Sequence, residues 1–286
     1  MSEITFDYAQ IGGTRLHYAK AGDGERLVIL LHGFPEFWYS WRHQLAALSD
    51  EYTVVAPDLR GYNLSDKPTG VADYEIDKSV DDVVGLIHHF GRERAAVVGH
   101  DWGASIGWAL AAKHPEYLWK LGALQVPPAS VWRKNQTFRQ LLASWYMFFF
   151  QIPLLPENLL KLNDFALLEN ALKNSTADKN VFTDEDIAKY KKTWNEPFAL
   201  TGMLNYYRAN ILKRLFTKLE ETPKIKVPAV FIYGEQDKAV LPETVRGIGE
   251  VMDAPYEEFR IPTSAHWVQQ EAAEAVTEIL REFLAE

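Results

Sequence analysis

The stretch Val98-Gly99-His100-Asp101-Trp102-Gly103-Ala104 decides how the rest of the chain reads. Directly before it, Ala95-Ala96-Val97-Val98-Gly99 is a short continuous apolar run, the pattern of a strand buried on both faces. Directly after it, residues 104–113 have the pattern of a helix. Between them lies glycine-x-Asp-x-glycine, a turn tight enough to strain its central residue, with glycines where neighbouring backbone must come close. Asp101 at its apex admits two roles. It is an N-cap for the following helix, or a nucleophile raised at the end of a sheet.

Outward from this turn the same alternation continues. Residues 14–18, 26–31 and 52–56 read as strands, with helices over residues 40–48 and 79–90. Strands alternating with helices argue for an α/β fold, a mostly parallel sheet with helices on both faces. The pattern stops after about Pro127. Helices are expected at residues 137–150, 157–173, 184–194 and 197–216, two of them marked by start signals at Pro156-Glu157 and Thr183-Asp184-Glu185-Asp186. Strands return at residues 227–233 and 256–261, with helices at 242–251 and 271–284. The expected organisation is one α/β core in two parts, residues 1–129 and 222–286, split by a helical insertion at residues 130–221.

Composition narrows the function. The 286 residues carry 30 Lys+Arg against 39 Asp+Glu, a net charge of −9, which argues against a nucleic-acid backbone or a membrane surface as partner. There is no cysteine, which excludes disulfides, thiolate zinc sites, iron–sulfur clusters and a cysteine nucleophile. The first residues lack a basic segment followed by an apolar one, so no signal peptide is expected. The longest apolar stretch, residues 141–150, is about half of the ~20 residues that span a bilayer. The expectation is a soluble cytoplasmic protein, monomer or homodimer, using neither cofactor nor metal. His88-His89 on a helix is expected to place one ring in the core and one at the surface. The stretch 218–226, rich in Lys and Glu, is expected to be a solvated return from the insertion.

A relay pair for a nucleophile at the turn should follow in the order acid, then histidine, each beyond a later strand. Asp237, in Gly234-Glu235-Gln236-Asp237, and His266, in Thr263-Ser264-Ala265-His266-Trp267, occupy those places. Three residues in the right order after the right strands favour the nucleophile role for Asp101.

Three motifs together carry a resemblance: His32-Gly33-Phe34-Pro35-Glu36, Asp58-Leu59-Arg60-Gly61-Tyr62-Asn63-Leu64-Ser65-Asp66, and Gly99-His100-Asp101-Trp102-Gly103-Ala104. With them the chain resembles an α/β-hydrolase of the epoxide hydrolase type, over essentially its whole length. The resemblance implies that the insertion is a helical cap over the active site. It also implies an oxyanion hole from the backbone N–H groups of Phe34 and Trp102.

Chemistry accounts for an Asp where hydrolases usually have Ser. A carboxylate attacking a saturated carbon leaves an alkyl ester, which water can cleave at the carbonyl. A serine would leave an ether. Asp101 therefore points to epoxides or alkyl halides, with His266, oriented by Asp237, activating water in a second step. A ring-opened epoxide leaves as an alkoxide and needs a proton, which a neutral phenol can donate. The family places two such tyrosines in its cap. Tyr146-Met147-Phe148-Phe149-Phe150-Gln151 and Asn205-Tyr206-Tyr207-Arg208 match their contexts, so Tyr146 and Tyr207 are the expected donors and Tyr206 is expected to pack. The expected partners are an apolar epoxide and water.

Haloalkane and haloacid dehalogenases share the nucleophile. Haloalkane enzymes resemble a pattern with a halide-binding Asn where Phe34 stands. Fluoroacetate enzymes resemble one with Arg where Trp102 and Ser105 stand, and with a cap Trp in place of Tyr146. A non-catalytic ligand receptor on this fold would not need the full set of groups. Glu36 is read as either orienting the hydrolytic water or forming a salt bridge near the sheet edge. Phe34-Pro35 is a candidate cis peptide, and Arg60 and Asp66 are expected to be structural.

Overall fold

A computed structural model of the chain describes residues 2–216 and 223–285. Eight strands form one sheet: β1 (Thr5–Ile11), β2 (Thr14–Ala21), β3 (Leu27–Leu31), β4 (Thr53–Pro57), β5 (Ala95–His100), β6 (Leu118–Leu124), β7 (Ala229–Gly234) and β8 (Tyr256–Ile261). Their order is β1-β2-β4-β3-β5-β6-β7-β8. β2 runs antiparallel to both its neighbours, β1 and β4, and every other pairing is parallel.

The central strands β3, β4 and β5 are buried at every position, which is why they read as unbroken apolar runs. Successive side chains still go to opposite faces. Leu27, Ile29 and Leu31 join a core with Val83 and Ile87 of the helix Ile76–His89 and Ile106 of the helix Trp102–Lys113. Val28 and Leu30 join a second core with Leu45 of the helix Arg42–Leu48 and Leu280 of the helix Ala273–Ala285. The sheet is therefore covered on both faces, and all its parallel strands point their C-terminal ends the same way.

Two strands escape the sequence pattern. β1 is an edge strand whose first four residues are exposed, so no apolar run marks it. β6 carries Lys120 in its middle, buried at 8% exposure. Its ammonium is satisfied by the carbonyl of Phe283 and lies 4.6 Å from the centre of that residue's ring.

Several helices differ from expectation. Residues 242–251 form two 3-10 turns, Pro242–Val245 and Ile248–Val251, because Gly247 between them takes φ +77°. Residues 137–150 form two short helices, Phe138–Ala143 and Trp145–Phe149, joined at Ser144. The helix Leu155–Asn174 is interrupted at Leu162 to Phe165, where Asn163, Asp164 and Phe165 have positive φ. The final helix is preceded by a separate turn, Val268–Glu271. His88 and His89 are both exposed, rather than one in the core.

Between β6 and β7 the described residues contain helices and no strand, ending with Asp184–Trp194 and Ala199–Phe216. The first of these opens on a capping box, in which Thr183 Oγ1 accepts from the Asp186 N–H at 3.1 Å and Asp186 returns the bond to the Thr183 N–H at 3.0 Å. Side chains fix the insertion to the core. Trp194 Nε1 donates to the Pro35 carbonyl at 2.7 Å. Asn210 accepts from the Ile76 N–H at 3.0 Å and donates to the Tyr74 carbonyl at 2.9 Å. The expected boundary at 221/222, and the first part of the stretch 218–226, lie outside the described residues. Among the described residues no helix is long and apolar enough to cross a membrane.

Candidate active site

The turn after β5 has the expected strain. Asp101 takes φ +52° and ψ −114°, a conformation few L-residues adopt. A Cβ on Gly99 would collide with the carbonyl of Gly103, and one on Gly103 with the carbonyl of Leu31, so the close approach of β3, β5 and the helix requires both glycines. Asp101 occupies the N-cap position of Trp102–Lys113, yet its side chain makes no capping hydrogen bond. Its Oδ1 instead accepts from the Phe34 N–H at 2.9 Å. The Phe34–Pro35 peptide is cis.

Asp237 and His266 reach the same end of the sheet from the turns after β7 and β8. Asp237 Oδ1 accepts from the N–H groups of Ala239 (2.7 Å) and Val240 (3.0 Å). Its Oδ2 accepts from His266 Nδ1 at 2.8 Å and from Gln125 Nε2 at 2.7 Å. The His266 ring is thereby fixed with Nε2 facing Asp101, 4.0 Å from its Oδ2. Burial pulls the His266 pKa down. The charge and hydrogen bond of Asp237, with the charges of Asp101 and Glu36, outweigh that and hold it at about 9.

Behind this pair lies a buried polar network. His100 Nδ1 bonds Glu36 Oε2 and its Nε2 bonds the His266 carbonyl, both at 2.8 Å. Glu36 Oε1 accepts from Gln269 (3.0 Å) and Gln270 (2.9 Å). Burial raises the Glu36 pKa, but the charge and hydrogen bond of His100 more than reverse this and leave it lowered. The salt bridge offered as its alternative role is thus present, between the ends of the central strands β3 and β5 rather than at the sheet edge.

A cavity of about 440 Å³ opens above Asp101 and Trp102, walled by residues of the insertion that include Tyr146, Met147, Phe148 and Tyr207. The two phenol rings stand 6.0 Å apart at 76°. Tyr207 packs on Trp102 at 5.1 Å and on Phe34 at 5.3 Å. Burial, then the charge of Asp101, pushes both phenol pKa values well up, so both hydroxyls stay protonated. Tyr206 faces the other way and packs, its hydroxyl donating to the Arg60 carbonyl at 3.1 Å. Arg60 makes a two-pronged bond to Asp82, at 2.7 Å from both Nε and Nη2. Asp66 caps the Arg15 N–H at 2.8 Å.

Of the residues singled out in the sequence, Asp101, Trp102, Tyr146 and Tyr207 line the cavity. His266 stands beside Asp101, with Asp237 bonded to the far side of its ring, and Phe34 is bonded to Asp101. Gln125 went unnoticed. Its signal was the strand-end position in Leu124-Gln125-Val126-Pro127-Pro128, hidden because β6 itself was not recognised.

A family model described as alpha/beta hydrolase fold matches residues 26–273. The chain is 40% identical to the AB hydrolase superfamily protein YfhM of Bacillus subtilis, covering 99% of each. It is 35% identical to Epoxide hydrolase 1 of Caenorhabditis elegans, over 97% of this chain and 69% of that protein. The crystal structure of Bacillus megaterium epoxide hydrolase in complex with an inhibitor superposes with a TM-score of 0.87 at 33% identity, covering 98% of this chain and 100% of that one. An aspartate-bearing turn, a hydrogen-bonded His–Asp pair and this likeness along the full chain converge: the protein belongs to the epoxide hydrolases of the α/β-hydrolase fold family.

Proposed function

We propose that this enzyme opens apolar epoxides to vicinal diols through a covalent ester on Asp101. The observation that carries the reading is the single geometry of Asp101. One carboxylate oxygen is held by the Phe34 N–H, the other faces a His–Asp pair, and two protonated phenols share the same cavity. Residues 130–221 act as a cap, bringing the phenols over the sheet end.

In the first step a carboxylate oxygen of Asp101 attacks one epoxide carbon. The C–O bond to the ring oxygen breaks, and that oxygen takes a proton from Tyr146 or Tyr207. In the second step His266 Nε2 takes a proton from water, whose oxygen attacks the Asp101 carbonyl carbon. The oxyanion is held by the N–H groups of Phe34 and Trp102 until the bond from the Asp101 carbonyl carbon to the diol oxygen breaks. That oxygen takes the proton from His266 and the diol leaves, and the new Asp101 carboxyl gives its own proton to His266. The charges explain the order. While Asp101 is anionic it helps keep His266 protonated. Alkylation removes that charge and lowers the His266 pKa, so its proton passes to the phenolate left by ring opening and the imidazole is neutral when a base is needed. Glu36 serves the hydrolytic water indirectly, by fixing His100 and through it the His266 loop. The reaction needs one chain, water and an apolar substrate, with no metal or cofactor; a cytoplasmic monomer or homodimer is the setting proposed for it.

The test compares styrene oxide with its matched alkyl halide. Diol formation without halide release is expected. Halide release without diol would replace the reading with a dehalogenase.

A further inference from the structure

We infer that Gln125 is a positioning residue that holds the acid and the base in register and tempers the basicity of His266. The inference rests on the two-step reading above.

Gln125 sits just beyond β6 with φ +66°, a strained conformation for a residue with a side chain, and it is fully buried. Its amide joins three separate strand ends. Oε1 accepts from the Gly234 N–H at 2.6 Å, at the end of β7. Nε2 donates to Asp237 Oδ2 at 2.7 Å and to the Ala265 carbonyl at 2.8 Å, one residue before His266. The acceptor and both donor bonds each have a partner of the opposite kind, so the amide orientation is fixed, and neither a carboxylate nor a hydrocarbon reproduces all three bonds. Loops after β7 and β8, which carry the acid and the base, are tied to one another through this side chain.

The contact to Asp237 has a chemical consequence as well. Gln125 and His266 donate to the same carboxylate oxygen. A second donor spreads the charge on that oxygen and weakens its hold on the imidazolium. Without it, Asp237 would bind protonated His266 more strongly, and His266 would give up its proton only at higher pH. Gln125 therefore favours the hydrolytic step, in which His266 must be neutral, and has little bearing on attack by Asp101, which is held by Phe34.

The test measures the two half-reactions of wild type and Gln125→Met with styrene oxide, by rapid quench and intact mass. Ester formation is expected to change less than about twofold. Ester hydrolysis is expected to slow by roughly tenfold or more, with its pH profile displaced toward higher pH. A merely structural glutamine would slow both steps together and leave the profile in place, and that result would overturn the inference. Should Gln125→Met not fold, Gln125→Glu keeps the shape and the acceptor for Gly234, and the same split is expected. Failure of both to fold would mark Gln125 as a strut only and also overturn it. If wild type forms no ester, the proposed function fails first; an ester in wild type with unsplit variants sinks the Gln125 assignment alone.

Discussion

The sheet and the helical insertion build the site by different means. Asp101, Asp237 and His266 stand at the ends of β5, β7 and β8, strands laddered to their neighbours, and their positions follow from backbone hydrogen bonds. Tyr146 and Tyr207 stand on helices placed by side chains. Arg208 ties these helices together, through a bidentate pair with Glu157 at 2.7 and 3.0 Å and bonds to the carbonyls of Phe150 (2.9 Å) and Ile152 (3.0 Å). The division matches the proposed chemistry. In that mechanism ester formation and hydrolysis use fixed groups at the sheet, whereas the proton for the leaving oxygen comes from a part that can be shaped around a substrate.

Replacing both Tyr146 and Tyr207 with Phe breaks the comparison on the insertion side. Epoxide opening is expected to fall by roughly 10²- to 10⁴-fold, the range for loss of general-acid catalysis, with melting temperature little changed; rapid-quench rates of ester formation check it. Undiminished opening would remove the proton-donor assignment. A smaller effect is expected from Arg208→Met. Losing charge-assisted bonds of this kind costs about 1–3 kcal/mol, and the loosened phenols should lower kcat/KM for ring opening by roughly tenfold. Thermal melts and steady-state kinetics check both parts. A loss confined to ester hydrolysis would show that the insertion also governs the sheet-borne groups.

The smallest expected effect concerns pH. The folded His266 pKa of about 9 lies above its ordinary value of 6.5. The stabilisation this supplies is complete below about pH 6.5 and is lost as pH rises through about 9. The difference in melting temperature between wild type and His266→Gln should therefore shrink over that window. In Asp101→Asn, which lacks the nucleophile's charge, the His266 titration followed by NMR should move to lower pH. A midpoint unmoved by that change would contradict the charge coupling between the two steps.

Legibility in the sequence follows the same division. β5 and β7 are buried along their whole length, and β8, although a largely exposed edge strand, also ends in a short turn, so Asp101, Asp237 and His266 could be placed from order and pattern. The phenols could not. Thirteen tyrosines occur in the chain, and only the resemblance, through Gln151 and Arg208 beside them, separated Tyr146 and Tyr207 from the rest. What escaped entirely was decided by single backbone conformations and unusual pairings. Gly247 with its left-handed φ breaks a helix that periodicity favoured. Lys120 obscures β6 because its buried ammonium finds its hydrogen bond at a backbone carbonyl far along the chain. Gln125 was lost with that strand. Aromatic residues make up 13% of the chain, and three of them, Trp102, Tyr146 and Tyr207, meet around one cavity.

Covalent catalysis by Asp101 is tested most directly by trapping the intermediate. His266→Gln keeps the nucleophile and both phenols and removes the base for the second step. Incubated with styrene oxide and weighed intact, it should gain the mass of one substrate molecule, located by digestion on the peptide containing Asp101. A protein of unchanged mass, while wild type turns the same epoxide over, would contradict the ester mechanism.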